Sequence, residues 1–315
     1  MSYSKLAYLF PGQGAQFSGM AMDLLVSDGV KKLFDTASEV IGKDIKELLQ
    51  SDADTLKRTD VSQPAITAAN LAAAVFLEEK GFKPTACAGF SLGEYAALVC
   101  AGIISTADCF RLVKARGEAM QKAAETLSSG KEGDAAPGMM AVVGLSPEQV
   151  ESLIAKWRGE KLKDLHAANI NSLKQVVVAG TGEALTEAEA RFKEAGARRA
   201  IRLQVAGPFH SPFMKEAVDE FVPTLEKVFF QNPKITIFSN VTGQKISSGP
   251  EAKKLAVQQI TCPVRWVEEE AAVAASGAEA CFEVGPGKVL QGLWKDTGSE
   301  IPVFSAGTAE DIGKL

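Results

Sequence analysis

A serine between glycines, two histidines and an arginine on an apolar helix face are the residues here whose types and spacing suit covalent chemistry. Gly89-Phe90-Ser91-Leu92-Gly93 is a G-x-S-x-G set between an expected strand, Thr85 to Gly89, and an expected helix through Tyr95 to Ala101. That is the setting a nucleophile elbow requires. Glycines let strand, turn and helix backbones pass closely around a strained serine, and the helix N-terminus offers free N–H groups and positive dipole to an oxyanion. The competing reading is an ordinary glycine-bounded turn, because the pattern also arises by chance.

A serine hydroxyl is a weak nucleophile without a base in hydrogen-bond reach, and histidine is the usual one. Only His166 and His210 exist in the chain. A lone histidine is more often structural, but His210 follows the alternation Ile201, Leu203, Val205 and precedes Ser211-Pro212, a helix start. It therefore falls at a strand's end, where sites of open α/β sheets gather. His166 falls inside a strand, which makes His210 the candidate base.

The expected helix from about Thr106 to Glu125 carries its apolar stripe at Cys109, Leu112, Val113, Ala119 and Met120, and Arg116 falls on that stripe. A guanidinium aimed into a core needs an anion, and its fork suits a carboxylate held by two hydrogen bonds. Two readings stand: an internal salt bridge, or selection of an acyl group that ends in a carboxylate. Gly12-Gln13-Gly14 is likewise either a tight surface turn or a place where backbone reaches a ligand. It is no phosphate loop, since the third glycine of G-x-G-x-x-G and the G-K-[ST] of a P-loop are absent.

The elements that must position these residues alternate. A strand at Leu6 to Phe10 feeds the glycine loop, helical patterns run to about Lys80, and the elbow unit begins at Pro84. Strands alternating with helices predict an α/β core with a mainly parallel sheet. Leu127 to Gly138, rich in Ser, Gly, Ala and charges, reads as a mobile connection. After it come a strand at Met139 to Leu145, a helix opened by Ser146-Pro147 to about Trp157, strands at Leu165 to Asn171 and Gln175 to Gly180, a helix from about Ala184 to Ala195, and a strand from Arg199 to Val205. This β-α-β-β-α-β order is that of a ferredoxin-like unit. The expected organisation is a discontinuous catalytic core of residues 1–127 and 206–315 around an insert of residues 128–205. The core resumes with a helix through Pro212 to Val228, a strand near Ile235 to Asn240 and a last strand near Phe282 to Gly285.

Bulk properties narrow the function. The 315 residues are 46% hydrophobic and 23% charged, with a formal net charge of -5 and no block of basic residues. The footprint of a nucleic-acid binder is missing, and no apolar run approaches membrane length. Five widely spaced cysteines, Cys87, Cys100, Cys109, Cys262 and Cys281, form no C-x-x-C pair. Neither a disulfide framework nor a metal site is expected, and a reducing cytoplasm fits best.

Five ordered motifs give the chain a resemblance. Phe10-Pro11-Gly12-Gln13-Gly14-Ala15-Gln16, Gly89-Phe90-Ser91-Leu92-Gly93-Glu94, Ala115-Arg116-Gly117, Pro208-Phe209-His210-Ser211 and Glu283-Val284-Gly285-Pro286-Gly287 resemble the malonyl-CoA:acyl carrier protein transacylases of fatty acid synthesis and the related acyltransferase domains of polyketide synthases. The resemblance implies a hydrolase-like α/β core with a ferredoxin-like insert. It implies acylation of Ser91, His210 as base, Arg116 as ligand of the malonyl carboxylate, and backbone N–H groups of Gln13 and Leu92 as oxyanion hole. It also implies that a main-chain carbonyl, matching Gln259, orients the histidine in place of a triad carboxylate. Malonyl-CoA would be substrate, coenzyme A product, acyl carrier protein the partner, and no cofactor or metal would be bound, in a cytoplasmic monomer.

The chain departs from the family in carrying Phe90 where a histidine usually precedes the nucleophile, and in a longer segment at Ser128 to Pro137. Phe209, an aromatic before the base, goes in related domains with malonyl over methylmalonyl. Three rivals are an esterase or thioesterase on a similar core, a non-catalytic docking subunit, and a free-standing polyketide acyltransferase. Arg198, Arg199 and Arg202 are either a docking face for an acidic carrier protein or solvated surface.

Overall fold

The structure, a computed structural model, describes residues 3–315. Among the described residues nine strands form in two sheets: β1 (Leu6–Phe10), β2 (Pro84–Gly89), β3 (Gly138–Val143), β4 (Leu165–Ser172), β5 (Gln175–Gly180), β6 (Arg199–Arg202), β7 (Thr236–Ile237), β8 (Ala280–Glu283) and β9 (Val303–Ser305). The first sheet has the order β7-β2-β1-β8-β9 with every neighbouring pair parallel. All five residues of β1 are buried, as expected of a central parallel strand covered by helices on both faces.

The second sheet is antiparallel, in the order β4-β5-β3-β6. The alternation of its strands divides their side chains between two cores. Met140, Val142, Val176 and Val178 pack with the helices Pro147–Glu160 and Gly182–Glu194, where the rings of Trp157 and Phe192 meet at 4.8 Å. Met139, Val177 and Ala179 face the other way and join the main core. Edge strand β4 is tied to the first unit by Ile170 N–H to the Val264 carbonyl, 2.8 Å, and Val264 N–H to the Ala168 carbonyl, 2.9 Å.

The mainly parallel sheet and the β-α-β-β-α-β order thus occur as the sequence predicts, with shifted bounds. The segment Leu127 to Gly138 is partly regular: the helix Thr106–Ser128 runs into it and Gly133–Ala135 makes a 3-10 turn. The strand expected to Val205 stops at Arg202, and only the Leu203 N–H continues the ladder, to the Met139 carbonyl at 2.9 Å. His210 therefore ends a connection between the sheets and does not end a strand. β8 is not the last strand either, because β9 adds an edge that the sequence reading passed over. With three residues, Val303-Phe304-Ser305, β9 is too short for alternation to register.

Candidate active site

Crowding explains why the Ser91 turn is built from glycine. An added Cβ on Gly89 would sit 2.1 Å from the Gly93 carbonyl carbon, one on Gly93 2.0 Å from the Phe10 oxygen, and one on Gly12 2.3 Å from the Phe90 oxygen. The first two contacts let β2 turn directly into the helix Gly93–Cys100, and the third brings the Gln13 loop against the turn. Ser91 itself has φ of 49°, a left-handed conformation that costs a non-glycine residue about 1–3 kcal/mol and persists only where the surroundings over-determine it.

His210 is the partner that the turn presents to Ser91. Ser91 Oγ and His210 Nε2 are 2.7 Å apart, and His210 Nδ1 is 2.8 Å from the Gln259 carbonyl oxygen. A carbonyl can only accept, so Nδ1 carries the proton, and in the neutral ring Nε2 is left with a lone pair for the serine hydroxyl. Burial, followed by the nearby Arg116 charge, pushes the His210 pKa down to about 4. The imidazole is therefore neutral at physiological pH, the state in which it can take a proton. His210 also stands at positive φ, 54°.

Arg116 reaches the same point from the helix Thr106–Ser128. Its guanidinium is buried, lies 5.5 Å from the Tyr95 ring centroid, and donates through Nη2 to Gln259 Oε1 at 3.1 Å; Nη2 is 3.5 Å from Ser91 Oγ. Nε has no hydrogen-bond partner among the described residues. None of the ion pairs among the described residues involves Arg116, which removes the internal salt-bridge reading. A buried guanidinium with spare donors beside a hydroxyl is suited to receive an anion.

The backbone N–H groups of Gln13 and Leu92 make no hydrogen bond among the described residues, and both residues line the cleft that contains Ser91, Arg116 and His210. This cleft, of about 240 Å³, lies between the two sheets: Met139, Asn169 and Val177 of the antiparallel sheet form its far wall. Phe209 is buried in its wall, and Phe90 packs edge-on against Trp266 at 5.4 Å, the ring contact that occupies the position before the nucleophile. His166 stands apart from Ser91, with its ring edge-on to Phe213 at 5.7 Å. Of the three arginines considered for docking, Arg202 is committed internally, donating to the Gly182 carbonyl at 2.8 Å and Thr186 Oγ1 at 3.0 Å.

Asn240 and the side chain of Gln259, which motif reading did not single out, lie directly behind the turn. Asn240 is buried and its Oδ1 accepts from the Ser91 N–H at 2.7 Å, while Gln259 Nε2 donates to the Ser91 carbonyl at 3.0 Å. Glu94 accepts from the Asn240 N–H at 2.8 Å, and burial raises its pKa to about 7. The only signal for Asn240 in the sequence is a polar residue just past a short core strand, at the carboxyl end where sites of parallel sheets form.

A serine and a neutral histidine paired at the carboxyl end of a parallel sheet in an α/β protein is an arrangement suited to covalent acyl chemistry. The acyl transferase domain family matches residues 7–314, and the chain belongs to that family and is an acyltransferase. It is 39% identical over 305 residues to a malonyl CoA-acyl carrier protein transacylase of Haemophilus influenzae, covering 96% of this chain and 95% of the relative. The crystal structure of an acyl carrier protein S-malonyltransferase from Vibrio cholerae superposes with a TM-score of 0.90 at 36% identity, covering 99% of each chain. A malonyl-transacylase solved in complex with its type II polyketide acyl carrier protein superposes with a TM-score of 0.89 at 34% identity, covering 99% of this chain and 98% of that one.

Proposed function

We propose that the protein transfers a malonyl group from malonyl-CoA to the phosphopantetheine thiol of acyl carrier protein, for fatty acid biosynthesis, through an ester on Ser91. The observation that carries the reading is the junction of two features at one oxygen: Ser91 Oγ lies 2.7 Å from a neutral His210 and 3.5 Å from the guanidinium of Arg116, which has no carboxylate partner among the described residues. A nucleophile beside a fixed buried cation suits an acyl group that ends in a carboxylate.

In the proposed ping-pong sequence His210 Nε2 takes the Ser91 proton as Oγ attacks the thioester carbonyl. The C–S bond then breaks, and coenzyme A leaves with the proton returned by His210. The carrier thiol next gives its proton to His210 and attacks the ester, and the C–O bond to Ser91 breaks as His210 passes that proton to Oγ and restores the free serine. The Gln13 and Leu92 N–H groups receive the oxyanion in both halves, at about 3 kcal/mol of transition-state stabilisation per donor. The Gln259 carbonyl keeps His210 in the required tautomer and compensates the imidazolium that forms. No metal or redox group enters this scheme.

The fold reading that accompanies it is a hydrolase-like core of residues 1–127 and 206–315 with a ferredoxin-like insert of residues 128–205. The antiparallel order β4-β5-β3-β6 supports the insert, since numbered within the unit it runs 2-3-1-4. Acting as a monomer in the cytoplasm on a carrier protein is part of the same proposal. Among the described residues no helix is long and apolar enough to cross a membrane.

The test is intact-protein mass after brief incubation with malonyl-CoA, methylmalonyl-CoA or acetyl-CoA, with Ser91→Ala as control and carrier protein added second. A malonyl increment that requires Ser91 and passes to the carrier supports the proposal. Hydrolysis without transfer indicates a thioesterase instead, and no increment with any donor indicates a docking subunit.

A further inference from the structure

Asn240 makes six hydrogen bonds, and every polar group it owns is used. Its backbone N–H donates to Glu94 Oε2 at 2.8 Å, and its carbonyl accepts from the Arg265 N–H at 2.8 Å. In the side chain, Nδ2 donates to the Gly89 carbonyl at 2.7 Å and to Glu269 Oε1 at 2.7 Å, while Oδ1 accepts from the Ser91 N–H at 2.7 Å and from Gln259 Nε2 at 3.3 Å. The residue is fully buried. Its amide orientation follows from its partners, because the Gly89 carbonyl can only accept and the Ser91 N–H can only donate.

This pairing is the one a neighbouring strand would make, with an amide N–H and C=O on the residues before and after Phe90. β7 ends at Ile237, so on that side of β2 the first sheet has no strand beside the turn, and a single side chain supplies the missing rung. Ser91 stands at a left-handed φ with Oγ 2.7 Å from His210 Nε2, and the Asn240 amide holds the chain at Gly89 and Ser91, on either side of Phe90. Burial raises the Glu269 pKa well above the ordinary carboxyl value, which disfavours a buried charge behind the serine.

We propose that Asn240 is a positioning residue for the acyl-transfer reaction: its side-chain amide clamps Gly89 and Ser91 and so sets the direction of the nucleophile. The proposal rests on the reading of Ser91 as nucleophile. The asparagine amide supplies two N–H donors and an acceptor oxygen on separate atoms, which a single hydroxyl does not. Aspartate has the same shape but would set an oxygen against the Gly89 carbonyl and the Glu269 carboxyl.

The experiment compares wild type, Asn240→Asp and Asn240→Ala, with rates expressed per folded molecule by near-UV circular dichroism. Two reactions are followed by intact mass: malonyl transfer from malonyl-CoA, and phosphonylation of Ser91 by a fluorophosphonate, which reads serine reactivity without any acyl-CoA. The expected result is a fall of about 100-fold in kcat and in the phosphonylation rate, the scale of an ångström-level misplacement, with KM for malonyl-CoA within a few fold. Unchanged rates per folded molecule in either variant that folds would overturn the proposal, as would a rise in KM with kcat intact. If wild type reacts with the fluorophosphonate but takes no malonyl group, the donor reading fails while the Asn240 comparison still reports.

Discussion

Ser91 and His210 are 119 residues apart in the chain, yet Ser91 Oγ and His210 Nε2 meet at 2.7 Å. Both residues stand at positive φ, 49° and 54°, and the only other non-glycine residue to do so among those described is Ala21. Strain is thus concentrated where two side chains must face each other. Ser91→Ala should abolish acylation by malonyl-CoA, and His210→Ala should slow it by roughly 10²–10⁴-fold, the usual worth of a positioned base. Stopped-flow release of coenzyme A measures both, and an acylation rate in His210→Ala equal to wild type would remove the base from the mechanism.

Arg116 is expected to govern which acyl group is accepted. Arg116→Ala should lower kcat/KM for malonyl-CoA by roughly 10- to 100-fold, as for loss of hydrogen bonds to a charged group, and leave acetyl-CoA much less affected. Parallel kinetics with the two donors check this, and an unchanged malonyl-to-acetyl ratio would refute the assignment.

The acid limb of the reaction should lie low. His210 is held at about 4 by burial and by Arg116, below the ordinary histidine value, so its neutral form persists through mildly acid solution. Only as pH falls through that value does His210 gain a proton and lose the ability to accept one from Ser91. A pH profile of kcat/KM for acylation should have its histidine limb well under 6.5, and Arg116→Gln, which removes the neighbouring cation, should move that limb upward.

Glycines of the turn should tolerate no side chain. Gly93→Ala places a Cβ 2.0 Å from the Phe10 carbonyl oxygen, a backbone clash that should cost about 1–3 kcal/mol or more. Gly159, inside the helix Pro147–Glu160, has nothing within 4 Å of its added Cβ, so Gly159→Ala should stabilise by about 0.5–1 kcal/mol. Urea denaturation of the two variants should move in opposite directions.

Local chemistry made part of this protein readable from its sequence alone. Period and punctuation fixed the alternation of strands and helices, the β-α-β-β-α-β order of the second sheet, and the strand-turn-helix around Ser91, because these depend on neighbours within a few residues. Arg116 was legible as an anomaly for the same reason: its place on an apolar stripe is a local fact. The resemblance then assigned Gln13, Leu92 and Gln259 their expected places, and each lies beside the Ser91 turn.

Tertiary structure decided what no window of sequence contains. Whether Arg116 meets a carboxylate or stands without an ionic partner beside Ser91 depends on which helices and loops converge there, and its hydrogen-bond partner is a glutamine side chain 143 residues away. Phe90, anomalous in its motif, acquires a reason only from Trp266. Asn240 and Glu269 carry no motif, since their importance comes from burial in one spot behind a turn that needs a donor and an acceptor at once. A hydrogen bond between distant residues is specified by the packing that brings them together, and packing is a property of the whole chain.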